Sequence, residues 1–132
     1  MKVAVAYLVV LALFALVDTL WLGVVARGFY RAELGALLAP QVRLDAAVLF
    51  YLVYAAGIVV FAVAPAIRAE SLLTALVKGG LFGFFAYATY DLTNLATLRD
   101  WPLRMSLVDI AWGTALTAGC AVAGGLAARV VG

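Results

Sequence analysis

The sequence predicts an all-α integral membrane protein, a four-helix bundle with an interfacial segment between its first and second spans, on three observations. Of the 132 residues, 68% are hydrophobic, 12% are charged and none is histidine, a composition outside that of water-soluble domains. Apolar runs matching the ~20 residues needed to cross a bilayer occupy 3–25, 45–67, 72–98 and 107–129. Their hydrophobicity is continuous, which excludes a membrane β-barrel, whose strands alternate over segments of ~10 residues. The whole chain, 1–132, forms a single membrane domain.

The first run follows Met1-Lys2 and is longer than the ~7–15-residue core of a secretory signal; with three further runs behind it, it is expected to be a retained first span. The connection over 26–44 carries Arg27, Arg31, Glu33 and Arg43 among Phe29, Leu34, Leu37 and Leu38, which suits a short helix lying in the interface. Pro40 is expected to end it, having no amide donor and restricting Ala39 before it. Asp45 opens the second span and suits an N-terminal cap. Arg68-Ala69-Glu70-Ser71 makes a tight turn with Ser71 capping the third span, and Arg99 to Arg104, with Trp101 and Pro102, forms the exit before the fourth.

Side A is the face bearing the two ends of this sequence, and side B is the opposite one. Lys2, Arg68, Lys78 and Arg129 fall to side A, and Arg27, Arg31, Arg43, Arg99 and Arg104 to side B, a near balance that gives the positive-inside rule little to orient with. The basic residues are dispersed and the net charge is only +2, so nucleic acid is not an expected partner; the lipid bilayer is. Cys120, the single cysteine, suits a packing role.

Three acids, Asp18, Asp91 and Asp109, lie inside or at the edge of these spans. A carboxylate in hydrocarbon must be paired, protonated or facing water, because an uncompensated charge costs at least ~2.5 kcal/mol. At ~1.5 Å per residue, Asp18 and Asp91 both lie past their span midpoints toward side B; Tyr51, Tyr54 and Asp109 fall in the same half. Gly83, Tyr87, Asp91 and Asn94 follow one helical stripe, Asp18 and Trp21 share a face, and so do Asp109 and Trp112. Lipid cannot satisfy polar stripes, which therefore turn inward. The expectation is a cavity opening to side B, walled by Asp18, Trp21, Tyr51, Tyr54, Tyr87, Asp91, Asn94, Asp109 and Trp112, with side A packed shut.

Structural explanations compete with that expectation. Ser106-x-x-Asp109 resembles a capping box at the start of the last helix. Arg27, Arg99 or Arg104 could reach down to pair with the acids, and Trp21, Trp101 and Trp112 suit interfacial anchors. Gly79 and Gly83 form a small-residue pair that serves either packing within the chain or a homo-oligomer. An internal echo links Leu16-Val17-Asp18 and Trp21 with Leu107-Val108-Asp109 and Trp112.

Without histidine, and with Ser71 and Ser106 as the only serines, no nucleophilic triad can be built. One cysteine and no imidazole rule out a soft-metal site. No cofactor is expected, although Asp, Asn94, Thr93 and Tyr oxygens could hold a hard cation. Paired carboxyls in a low-dielectric site could instead share a proton.

The run Phe85-Ala86-Tyr87-Ala88-Thr89-Tyr90-Asp91-Leu92-Thr93-Asn94-Leu95-Ala96-Thr97-Leu98, followed by Trp101-Pro102, resembles the signature of domain-of-unknown-function family 2177. Asp18 with Trp21-Leu22-Gly23, Phe29-Tyr30, Tyr51 and Tyr54, and Asp109 with Trp112-Gly113 are similar to the same family. The resemblance implies a four-span, multi-pass protein of the bacterial inner membrane and implies no activity. The leading functional expectation is a carboxylate-lined site that binds or transports a small polar or amphiphilic molecule, a cation or a proton. The alternatives are an intramembrane enzyme acting on lipid or isoprenoid through an aspartate pair, and a structural subunit of a membrane complex.

Overall fold

The computed structural model describes all residues, 1–132, and contains helices but no strands. Four helices are long and apolar enough to cross a membrane: α1 (Lys2–Val25), α3 (Leu44–Ala69), α4 (Leu72–Thr97) and α5 (Leu103–Val131). A short helix, α2 (Arg27–Leu34), lies between the first two spans. The spans thus fall where the apolar runs predict them, except that α5 starts four residues earlier, directly after Pro102.

Each span turns one stripe inward and leaves the rest to lipid. On α1 the buried residues are Ala6, Val10, Phe14 and Asp18, spaced by four; Leu8, Leu16 and Leu20 point outward. On α4 the inward stripe runs Ala75, Gly79, Gly83, Tyr87 and Asp91, again by fours. These steps match helical periodicity closely enough to keep one face against a neighbour. Toward side A the stripes are small and apolar, so Ala6, Val10, Ala62, Val63, Ala75 and Ala121 form a dry core. Toward side B the same stripes become aromatic and acidic.

Small residues bring α4 and α5 into close contact. A Cβ on Gly79 would stand 2.7 Å from that of Ala121, and one on Gly83 would stand 2.5 Å from the Gly113 carbonyl oxygen. Such approach replaces the hydrophobic drive that lipid does not supply. Gly79 and Gly83 are therefore covered by α5, and the expectation that they present a face to a second copy gives way to packing within the chain.

Several local expectations change with the backbone. The interfacial helix stops at Gly35, whose φ of +52° suits a residue without a side chain, five residues before Pro40. The Ser71 hydroxyl caps α4 by accepting from the Thr74 amide at 3.1 Å, as expected. Asp45 sits within the first turn of α3, accepting from the Ala46 amide and pairing with Arg43 at 2.9 Å; Arg43, not Asp45, holds the cap position. Two wide, π-helical turns interrupt the spans, Val59–Val63 and Trp21–Val25. The first precedes Pro65, whose missing amide and ring clash disfavour a regular turn there. The second closes α1 through an Ala26 amide bonded five residues back to the Trp21 carbonyl at 2.7 Å, and the chain then folds α2 back over the bundle.

Candidate functional site

The inward stripes of α1 and α4 end in Asp18 and Asp91, and α5 brings Asp109 to the same end of the bundle. Asp18 is 6% exposed and fully bonded. Tyr51 of α3 donates to its Oδ2 at 2.9 Å, and Trp112 of α5 donates to its Oδ1 at 3.1 Å. One acid thereby fastens three spans.

The Trp112 ring stacks on Trp21 with centroids 4.1 Å apart and planes at 8°. Trp21 then donates to the Tyr30 hydroxyl at 3.2 Å, and Tyr30 donates to Asp109 Oδ1 at 2.8 Å. The two halves of the sequence echo therefore meet and exchange partners: the tryptophan of the last span reaches the aspartate of the first, and the tryptophan of the first reaches the aspartate of the last through Tyr30. Tyr30 belongs to α2 and is buried with Ala26 and Met105. Burial pushes its phenol above the ordinary range, so it stays protonated and able to donate.

Asp91 differs from the other two. It has no exposed surface, and neither carboxyl oxygen meets a hydrogen-bond donor. The register that sets Gly79 against Ala121, Gly83 against Thr117 and Tyr87 against Gly113 sets Asp91 against another acid, Asp109 of α5, whose one bond within the chain is the one from Tyr30 to Oδ1. No arginine answers the charge: the ion pairs of the chain are Arg43 with Asp45 and Arg104 with Glu33 at 3.7 Å. The competing explanation, pairing of the acids with Arg27, Arg99 or Arg104, is thus not formed; Arg104 lies 5.6 Å from the Phe29 ring centre.

The capping explanation of Asp109 fails for a related reason. With α5 beginning at Leu103, Ser106 and Asp109 lie beyond the cap. The Ser106 hydroxyl donates to the Pro102 carbonyl and accepts from Trp101 Nε1 at 2.9 Å. Asp109 is held from outside its helix, by Tyr30.

The other expected residues divide into two groups. Tyr54 bonds Thr117 Oγ1 at 2.9 Å and stacks on Phe82 with centroids 5.3 Å apart, so it belongs to the framework. Tyr87 has its ring seated over Gly113, where a Cβ would overlap it, and its hydroxyl makes no hydrogen bond within the chain. Asn94 is half-buried, close to one turn beyond Asp91 on the same helix. The unbonded polar groups of the cluster, the Tyr87 hydroxyl and the Asp91 carboxyl, therefore lie along one stripe of α4, packed against α5.

Sequence reasoning missed Tyr30 and Thr117. The signal for Tyr30 was available: Ala26, Phe29, Tyr30, Glu33 and Leu34 make one helical face, all at least half-buried, while Arg27 and Arg31 are exposed. The expected open chamber is also revised. The polar side chains converge but pack on one another, and two hollows lie elsewhere. One, of about 450 Å³, opens at side A among Lys2, Glu70, Ser71 and Arg129, so that end is not shut. The other, of about 640 Å³, is an apolar lateral groove between α4 and α5 lined by Phe84, Ala88, Leu92 and Ile110 among others. No group of three acids, cysteines or histidines is placed to hold a metal ion.

No curated protein and no solved structure matches the chain. A family model described as a predicted membrane protein, DUF2177, matches residues 3–126. With that match spanning nearly the whole chain and four apolar helices of membrane-crossing length, the protein belongs to the DUF2177 family of membrane proteins.

Proposed function

We propose that the side-B polar cluster is a binding site for a small polar or amphiphilic molecule, a cation or a proton, serving transport or sensing across the bilayer. One observation carries this reading: Asp91 is wholly buried with both oxygens lacking a donor, whereas Asp18 has two donors. An acid kept in that condition costs stability and is retained in membrane helices where it handles ions or ligands. Tyr87, Asp91, Asn94 and Asp109 would touch the ligand; Asp18, Trp21, Tyr51, Tyr54 and Trp112 hold the wall in place. Helical spans suit a bacterial cytoplasmic membrane, since outer membranes are crossed by barrels.

The test is flux into liposomes carrying the reconstituted protein, followed with trapped proton- and sodium-sensitive dyes. Wild type should carry a flux that Asp91→Asn lacks while retaining its helical content in detergent. Equal flux in both removes Asp91 from the role, and no flux of either ion in wild type removes ion transport.

A second reading, an intramembrane enzyme acting on lipid or isoprenoid, is favoured by the apolar groove between α4 and α5, which is open sideways to the bilayer. It ranks second because none of the three acids lines that groove.

A further inference from the structure

Resting on the reading of Asp91 as a ligand-holding acid, we propose that this site binds a single proton, shared between the carboxyl groups of Asp91 and Asp109. The hydrogen-bond inventory defines what is missing. Asp91 offers two acceptor oxygens and no donor reaches them, while Asp109 receives Tyr30 on Oδ1 and nothing on Oδ2. Two ionised carboxylates in contact inside hydrocarbon repel one another and lack the solvation that water would give them. Placing one proton on Asp91 corrects both faults: the O–H becomes a donor to the free oxygen of Asp109, and the pair carries one negative charge instead of two. The remaining charge is the one Tyr30 already stabilises.

The geometry selects the proton from the ligand classes that would answer the same deficit. A hard divalent cation takes about six oxygens, several of them from water where the protein supplies one or two carboxylates, and Asp91, with no exposed surface, leaves no room for those waters. The absence of any three-residue metal cluster agrees. An organic ammonium has the donors but needs room, and Asp91 has no accessible surface at all. A proton needs neither room nor further ligands.

The groups facing the pair leave the proton where it is. From α5 the facing group is Asp109; from α2 it is the Tyr30 phenol, bonded to Asp109; from α4 itself it is Tyr87, one turn before Asp91 on the inward stripe. On α1 the nearest acid is Asp18, whose two oxygens are taken by the Tyr51 hydroxyl of α3 and the Trp112 indole of α5. No lysine or arginine pairs with any of these acids. Asp109 is the half-buried member of the pair, at the side-B end of the bundle.

Infrared difference spectroscopy of the full chain in lipid at neutral pH tests this directly. A protonated carboxylic acid shows a C=O stretch above the amide band, shifted in heavy water. Wild type and Asp18→Asn should show one such band; Asp91→Asn and Asp109→Asn should each lose it, with helical content preserved. A wild type without the band, or a band that survives in Asp109→Asn, overturns the shared proton. The outcome is separable from the flux experiment: flux lost in Asp91→Asn with no wild-type band leaves a binding acid that takes another ligand, whereas a band that follows both acids with unchanged flux keeps the proton and removes the transport role.

Discussion

Asp18 and Asp91 are the same residue at the side-B end of an inward stripe, on helices that cross the membrane in the same direction, yet one is fully bonded and the other is not. Asp18 receives Tyr51 and Trp112 and ties three spans together. Asp91 receives no donor and faces a second acid. The difference is not burial, since both lie almost wholly inside. It lies in the neighbours: the inward stripe of α1 meets a tyrosine and a tryptophan with N–H or O–H to give, whereas that of α4 meets the acid end of α5.

The largest expected effect breaks the comparison from the Asp18 side. Asp18→Ala leaves the Tyr51 hydroxyl and the Trp112 N–H without an acceptor, and should lower stability by about 2–4 kcal/mol, read by reversible unfolding in mixed micelles. Asp91→Ala strands no donor and loses at most the proton bridge to Asp109, while it removes a carboxyl whose burial is itself costly, so its stability should stay within about 1 kcal/mol of wild type while its flux disappears. Equal losses from the two substitutions would show that Asp91 has a structural partner after all.

Gly113→Ala comes next. Its methyl group would overlap the Tyr87 ring, and displacing that ring should cost about 1–3 kcal/mol and disturb the Asp91 side alone. Trp112 fluorescence, reporting the Asp18 side, should change little. Smaller still is the contrast between two tyrosines. Tyr51→Phe removes a hydrogen bond to Asp18 and should cost about 0.5–1.5 kcal/mol, whereas Tyr87→Phe removes none and should leave the unfolding midpoint in place.

The smallest effect concerns alkali. Burial raises the Tyr30 phenol above its ordinary value of 10.0, so as pH climbs past that value the unfolded chain ionises first and the folded state loses stability. Tyr30→Phe should flatten that part of the alkaline decline. An identical decline in both proteins would place it on other tyrosines.

Much of this was legible in the sequence. The four spans follow from apolar length alone, because a bilayer sets one dimension and helices meet it with about 20 residues. The gathering of Asp18, Asp91 and Asp109 in one half follows from counting rise per residue. What composition hid was partnership. Tyr30 sits in a segment that hydropathy assigns to the interface, and only its tertiary packing brings it to Asp109. Asp109 looked like a cap because Ser106 stands three residues before it; the helix starts earlier, since Pro102 can hold the cap position without needing an amide of its own. The wide turn at Trp21–Val25 left no mark in hydropathy, which stays apolar through it.

The crossed tryptophans set an order on assembly. The bond between Trp112 and Asp18 joins positions 94 residues apart, so a nascent chain threading into lipid in sequence order holds Asp18 beside Tyr51 through three spans before its second donor arrives. Contacts this distant form late, after the intervening loops have closed. The small-residue packing of α4 against α5 at the opposite end needs only two consecutive spans joined by a short turn. Loop-closure entropy thus favours the α4–α5 contacts over the bond between Trp112 and Asp18 as the earlier to form.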